Sequence, residues 1–213
     1  MLVIAMQTGF PAGERVSWAG RRHDDDWADA SSGMSAAELF DAVFGALHDG
    51  EQVTLGLDCP LCMPLSPNHR PGITAAGAAA DAAAAGAASD AAALVELALP
   101  TAGRPGLAEL GQLLDELGTW RPWTRVSTSL TRWRANTSIL VWQANPAPDS
   151  SGVTASAAVD SFFRQLTAAR AVATDQGAGT VVNMAAAAAR RAGLLVDPTE
   201  LSRPAATITV TDR

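Results

Sequence analysis

The start of the chain alternates between apolar runs and turn-forming segments. An apolar run predicts a first strand over Leu2–Met6, and a second strand over Arg15–Ala19 follows the Gly- and Pro-containing segment 8–13. These two strands are expected to form a hairpin. The acidic run 23–26 interrupts the pattern, and a third, weaker strand is predicted around Trp27–Ser31.

An amphipathic helix and a buried strand are predicted next. Ser35 and Glu38 have the spacing of a capping box, and the helix that they start is expected to end near Gly50. Its apolar positions recur at three and four residues: Leu39, Phe40, Val43, Phe44 and Leu47. The apolar run Val53–Leu57 then predicts a strand buried on both faces, as in a parallel sheet. A helix followed by a buried strand indicates an α/β crossover unit.

The rest of the chain continues as alternating helices and strands. The predicted helices are Ala-rich segments within Ile73–Leu99, a Leu-rich helix from Leu107 closed by Gly118, Thr154–Ala173, and Val181–Ala192 stopped by Gly193. The predicted strands are Ser138–Trp142 and Ala206–Val210. Together these elements predict one α/β domain over residues 1–213, with a mixed sheet flanked by helices and an Ala-rich helical insertion around 73–135.

Composition and charge narrow the function classes. A chain of 213 residues, 48% hydrophobic, can bury the core of one large domain. Its net charge of −7 opposes phosphate backbones, so a nucleic-acid contact needs a local basic patch or bridging metal ions. The chain carries no apolar stretch of about 18 residues and no basic leader, which predicts a cytoplasmic protein without a membrane span.

The strand Val53–Leu57 leads directly into a candidate site. Asp58 follows the strand and precedes Cys59 and Pro60, so its carboxylate is expected at the strand tip. The alternative interpretation is that Asp58 caps the turn by accepting backbone N–H groups.

Two cysteines form a C-x-x-C motif at Cys59 and Cys62. This spacing supports redox chemistry at a helix start, or zinc binding when a second pair exists. There is no second pair, and Pro64 and Pro67 prevent a helix from starting directly at the motif. The motif therefore predicts two buried small apolar residues, and thiol redox chemistry stays a distant alternative.

Tryptophan and arginine alternate through the segment Trp120–Arg134. Such interleaving is typical of single-strand nucleic-acid surfaces, where rings stack on bases and guanidinium groups contact phosphates. The segment is therefore the candidate site for a nucleic acid or another phosphate-bearing ligand. Alternatively, the tryptophans seal the sheet or a contact between copies of the chain, with arginine stems covering them.

Four stretches of this sequence resemble the ribonuclease H-like superfamily, in particular a poorly characterised bacterial branch of predicted nucleases. They are LGLDCPLCMP, NHRPGITAAGAAA, ILVWQANP and VVNMAAAAARRAGL. The resemblance spans most of the chain and implies a ribonuclease H-like mixed sheet.

The resemblance also implies a metal site. In this fold, acids from the first strand, the strand after the first helix, a later strand and the last helix converge on divalent cations, which activate water against a phosphodiester. The matching positions in this chain, and hence its candidate catalytic residues, are Gln7, Asp58, Gln143 and Asn183. Only Asp58 is an acid, so it is the predicted metal ligand, and Mg²⁺ or Mn²⁺ would be held weakly. Replacement carboxylates could come from Glu14, Asp24–Asp26 or Asp149.

The three amides also have structural interpretations. Gln7 and Gln143 could bond to sheet edges, and Asn183 could sit in the first turn of a helix capped by Thr180. His69 and Arg70 are candidates for binding substrate at the Asp58 turn. Two functions from different classes therefore stay open: a metal-dependent phosphodiester or phosphate-ester hydrolase, and a non-catalytic protein that binds a partner or assembles with its own copies.

Overall fold

The computed structural model describes residues 1–7, 17–22, 36–64, 105–136, 139–148, 153–167 and 181–211. The strands are β1 (Leu2–Gln7), β2 (Ser17–Arg22), β3 (Val53–Leu57), β4 (Cys62–Pro64), β5 (Val126–Ser127), β6 (Ile139–Pro146), β7 (Val181–Asn183) and β8 (Ala206–Val210). The helices are α1 (Ala36–His48), α2 (Pro105–Trp120), α3 (Leu130–Asn136), α4 (Ala155–Thr167), α5 (Met184–Arg191) and the 3-10 helix η1 (Pro198–Ser202).

The central sheet is mixed, which confirms the predicted class. Its strands run in the order β2-β1-β3-β6, and both β5 and β8 pair with the outer side of β6. β1 and β2 form the predicted antiparallel hairpin, whereas β1, β3, β6, β5 and β8 are parallel. The predicted third strand at Trp27–Ser31 and the Ala-rich helices within Ile73–Leu99 lie outside the described residues.

Apolar side chains cover both faces of the sheet. Alternate residues of β1 point to opposite sides, so Ile4 belongs to one core cluster and Val3 to the other. Helices α1, α2 and α5 close the first cluster, and α3 and α4 close the second. This double burial explains why β3 is apolar at nearly every position.

The Gly50 prediction is confirmed by the end of α1. Gly50 has φ +76°, Glu51 N–H donates to the Ala46 carbonyl at 2.8 Å, and Gly50 N–H donates to that of Leu47 at 3.3 Å. This is a Schellman arrangement, in which a left-handed glycine turns the chain back toward the last helical carbonyls. β3 and β8 have the predicted bounds, β2 extends to Arg22, and β6 extends to Pro146. α4 begins at Ala155 and is described as far as Thr167.

Gly118 does not end α2, contrary to the sequence prediction. The helix continues to Trp120, and a β-carbon on Gly118 would lie 1.8 Å from the Ala192 carbonyl oxygen. The glycine is therefore needed for the close approach of α2 to the chain after α5. A helix interior glycine of this kind gives the same sequence signal as a helix end.

The predicted last helix, Val181–Ala192, is wrong in its first turn. Val181–Asn183 forms β7, which pairs antiparallel with β4, and α5 begins only at Met184. The strand β4 was not predicted from the sequence either. Neither strand is long enough to show a periodicity, and each exists because the other supplies its hydrogen-bonding partner.

Candidate functional site

Three of the four candidate positions meet at the carboxyl end of the central strands. Met6 is paired with Leu57 of β3, and Leu57 with Gln143 of β6, so the ends of β1 and β3 are level with Gln143, after which β6 continues to Pro146. Asp58 follows Leu57 and its N–H donates to the Met6 carbonyl at 3.2 Å. Gln7, Asp58 and Gln143 therefore lie side by side at this end of the sheet, which we call the carboxyl edge. Sites in parallel α/β sheets usually lie outside the carboxyl ends of the strands.

Gln143 uses its amide to hold the turn after β3. Its Oε1 accepts the Leu61 N–H at 3.1 Å, and its Nε2 donates to Asn145 Oδ1 at 2.5 Å. The Leu61 carbonyl in turn accepts the Met184 N–H at 2.9 Å, which links β6 to the start of α5. The side chain therefore ties the turn after β3 to β6, and the Leu61 carbonyl extends this link to α5.

Asn183 joins this edge through β4 and caps helix α5. It is fully buried, and its Oδ1 accepts the Ala186 N–H at 3.1 Å. Its Nδ2 donates to Thr128 Oγ1 at 2.8 Å and to the Arg203 carbonyl at 3.0 Å. Asn183 is thus the helix cap itself, and the interpretation that placed it in a first turn capped by Thr180 is wrong.

Asp58 is the one carboxylate among the four positions, and it is half-buried. Gln7 beside it accepts a hydrogen bond from Ser17 Oγ at 3.4 Å. Within the described ranges, no three His, Cys, Asp or Glu side chains are grouped closely enough to hold a metal ion. The other candidates, Glu14, Asp24–Asp26, Asp149, His69 and Arg70, lie outside those ranges.

A second polar cluster, which the sequence analysis missed, surrounds Glu200 of η1. Only 2% of Glu200 is exposed. One carboxylate oxygen accepts Ser127 Oγ at 2.6 Å, and the other accepts both the N–H and, at 2.9 Å, the Oγ1 of Thr128. Thr128 also receives the Asn183 amide, so this glutamate stabilises the same region as the α5 cap. Asp197-Pro198 before it is a capping signature that could have indicated the 3-10 turn.

Arg132 of α3 connects Glu200 to a partly exposed acid. Its Nη1 forms an ion pair with Asp197 and lies 3.8 Å from Glu200 Oε1. The hydrogen bond from Arg132, followed by the one from Thr199, lowers the pKa of Asp197 to about 2 from its usual value of 3.8. The ionised form of Asp197 is therefore favoured by folding.

We expect Asp197→Asn to lower stability in a pH-dependent way. Because the folded-state pKa is lowered, the contribution of Asp197 is present above the unfolded-state pKa and is lost as pH falls toward 2. Urea unfolding between pH 5 and 2 should show that the difference in free energy of unfolding between the native protein and the variant shrinks below about pH 4. Asparagine retains the capping ability of aspartate. A difference that stays constant across the range would contradict the ion-pair explanation.

The two thiols lie in an apolar setting. Cys59 is 1% exposed within the core, and no disulfide joins it to Cys62. Burial raises the pKa of Cys62, although an N–H from Ala205, 3.2 Å from Sγ, opposes that rise. A raised pKa disfavours the thiolate, which is the reactive form.

We therefore expect both cysteines to be slow to react in the folded protein. Ellman's reagent at pH 8 should label Cys59 and Cys62 much faster in urea than in buffer, because unfolding exposes them and removes the burial that raises the pKa of Cys62. Rapid labelling of one thiol in the native state would restore the redox alternative.

The Trp120–Arg134 segment is divided between surface and core. Trp133 is 2% exposed and packs edge-on against Phe162 at 6.3 Å, as the sealing interpretation expects. Trp120 and Trp123 are 66% and 64% exposed. They lie toward the amino end of β6, since Val126 is paired with Ile139, whereas Asp58 follows Leu57, which is paired with Gln143 farther along β6.

The comparisons with known proteins give no family for this chain. No family model, curated protein or solved structure matches this chain. No helix in the described part of the chain is long and apolar enough to cross a membrane.

Proposed function

We propose that this protein is a ribonuclease H-like scaffold that has lost two-metal hydrolysis and acts as a non-catalytic binding or assembly protein. An antiparallel β1–β2 pair beside parallel β3 and β6 supports the scaffold. The hydrogen bonds of the amides along the carboxyl edge support the loss of catalysis.

The use of Asn183 is the observation that carries this proposal. The resemblance assigns this position to the metal site, yet its amide caps α5 and both donated hydrogen bonds go to the protein. Gln143 is engaged in the same way. Turning such an amide toward a cation would leave buried groups unsatisfied, at a cost of about 1–3 kcal/mol each, and would add no negative charge.

A metal-dependent hydrolase with a single weakly held ion is the second candidate. Asp58 favours it, because a half-buried carboxylate at the end of parallel strands, with Gln7 beside it, offers oxygen ligands of the type that Mg²⁺ and Mn²⁺ prefer. In that enzyme Asp58 would hold the ion, and the substrate would be a phosphodiester or a phosphate ester.

Calorimetric titration with Mn²⁺ distinguishes the two candidates. We expect the native protein to show no saturable binding tighter than a Kd of about 1 mM, because one carboxylate is a poor ligand set for a dication. Asp58→Ala is the test variant and Asp49→Ala, on the exposed turn after α1, is the matched control. Saturable binding that Asp58→Ala alone abolishes, together with Mn²⁺-dependent hydrolysis of a phosphodiester, would establish the hydrolase and overturn the first proposal.

A further inference from the structure

Three large apolar side chains are exposed on the described part of the molecule. They are Trp120 at 66%, Trp123 at 64% and Leu195 at 49%. Trp120 ends α2, Trp123 lies in the turn after it, and Leu195 lies in the segment after α5. We call these three residues the tryptophan patch.

Backbone contacts bring the members of the patch together. Arg125 and Leu195 form a parallel bridge, in which the Leu195 N–H donates to the Thr124 carbonyl at 3.0 Å. The Leu195 carbonyl accepts the Val126 N–H at 2.9 Å. Gly118, one half-turn before Trp120, lies against Ala192. The end of α2, the turn after it and the segment after α5 therefore lie next to one another.

Both tryptophan side chains are largely exposed. Trp142 packs on Phe162 with ring centroids 5.0 Å apart, whereas Trp120 and Trp123 contact no other aromatic ring among the residues that the structure describes. Large exposed apolar groups gathered at one place mark interaction surfaces. A flat partner that stacks on the rings would cover them best.

One exposed arginine adds positive charge next to the patch, namely Arg125, two residues after Trp123. Arg121 faces the protein instead, because its guanidinium lies over the Phe44 ring at 6.0 Å and its Nη1 is buried. Within the described ranges neither guanidinium is paired with a carboxylate, in contrast to Arg191, which binds Asp115 at 3.0 Å. Glu116, exposed one turn before Trp120, is a neighbouring negative charge.

We propose that the tryptophan patch, with Arg125, binds single-stranded nucleic acid. The rings stack on unpaired bases, and the Arg125 guanidinium neutralises a neighbouring phosphate. The net charge of −7 does not prevent this, because charges beyond about 10 Å are largely screened at 0.1 M salt. A symmetric contact with a second copy is less favourable, since it would bring the arginines of the two copies together.

This site is separate from the carboxyl edge and goes beyond the function proposed above. Ile139, which pairs with Val126, and Gln143 are four residues apart on β6, or about 13 Å. Binding at the patch should therefore need neither a divalent ion nor Asp58.

Fluorescence anisotropy with a labelled oligothymidylate of about 20 nucleotides tests the proposal, in EDTA and at about 0.1 M salt, where distant charges are screened. We expect Trp120→Ala and Trp123→Ala each to raise the Kd about tenfold or more. Arg125→Ala should raise it less and reduce the salt dependence of log Kd by about 0.7. Glu116→Gln should lower the Kd, whereas Arg203→Ala, an exposed arginine near the opposite end of α5, and Asp58→Ala should leave it unchanged.

Several results would overturn the proposal. They are the absence of binding by the native protein, equal affinity for a duplex of the same length, and unchanged binding by both tryptophan variants. Displacement of the oligonucleotide by polyglutamate at equal charge concentration would indicate an acidic protein partner instead. Self-association of the native chain that Trp123→Ala abolishes, measured by light scattering, would identify a second copy as the occupant.

Discussion

Glu200→Ala is expected to lower the free energy of unfolding by about 2–4 kcal/mol. The carboxylate is buried, and its removal leaves the Thr128 N–H without its acceptor, whereas Ser127 Oγ keeps only the Ser129 carbonyl at 3.1 Å. Arg132 also loses one of its two carboxylate neighbours. The loss is a large fraction of the 5–15 kcal/mol that stabilises a typical domain. Urea unfolding followed by circular dichroism measures it.

Two further variants test whether the buried carboxylate causes this loss of stability. Glu200→Gln retains the shape of the side chain and one hydrogen-bond acceptor. Its free energy of unfolding should therefore lie between those of the native protein and Glu200→Ala. Glu116→Ala removes an exposed acid from α2, and its effect should stay within about 0.5 kcal/mol. A loss below about 1 kcal/mol for Glu200→Ala would mean that the cluster adds little to stability.

The same glycine-to-alanine change is expected to have opposite effects in two helices. In α2, Gly118→Ala should destabilise the protein by about 2 kcal/mol or more, because the new methyl group meets the Ala192 carbonyl oxygen at 1.8 Å. In α1, Gly45→Ala should stabilise it by up to about 1 kcal/mol, because among the described residues nothing outside the helix's own backbone lies within 4 Å of the new β-carbon, and alanine is the better helix former.

Thermal or urea unfolding measures the free energy of unfolding of both variants. The intrinsic preference of a helix for alanine over glycine is common to the two substitutions, so it cancels in the difference between them. Equal effects would show that α2 can move away from the chain after α5 without cost. That outcome would also weaken the assignment of Trp120 and Leu195 to one surface, because Gly118 is where these two segments touch.

The positions of the candidate site could be predicted from sequence, but their roles could not. Strand Val53–Leu57 and the turn at Asp58 follow from an apolar run ended by Asp-Cys-Pro, so a local pattern was enough. That Gln143 holds the Leu61 N–H, 82 positions away in the chain, depends on the pairing of distant strands. A glutamine in a sequence does not reveal which backbone group it will meet.

The tryptophans show the same limit. Trp120, Trp123 and Trp133 belong to one interleaved segment, yet the first two are exposed and the third is in the core. The separation arises because α2 ends before a turn, whereas α3 folds Trp133 toward Phe162. Nothing in the spacing of the residues distinguishes these environments.

The sequence alone determined the elements whose evidence is local: the hairpin, the helix α1 with its terminal glycine, the buried strand β3 and the last strand β8. The predicted cap at Ser35 lies outside the described residues. The hydrophobic period and turn residues of these elements are sufficient, because each signal lies within one element. Tertiary structure alone decided the short pair β4–β7, the burial of Glu200, the cap at Asn183 and the close approach at Gly118. Each of these depends on a partner far away in the chain, and packing against that partner outweighs the local preference.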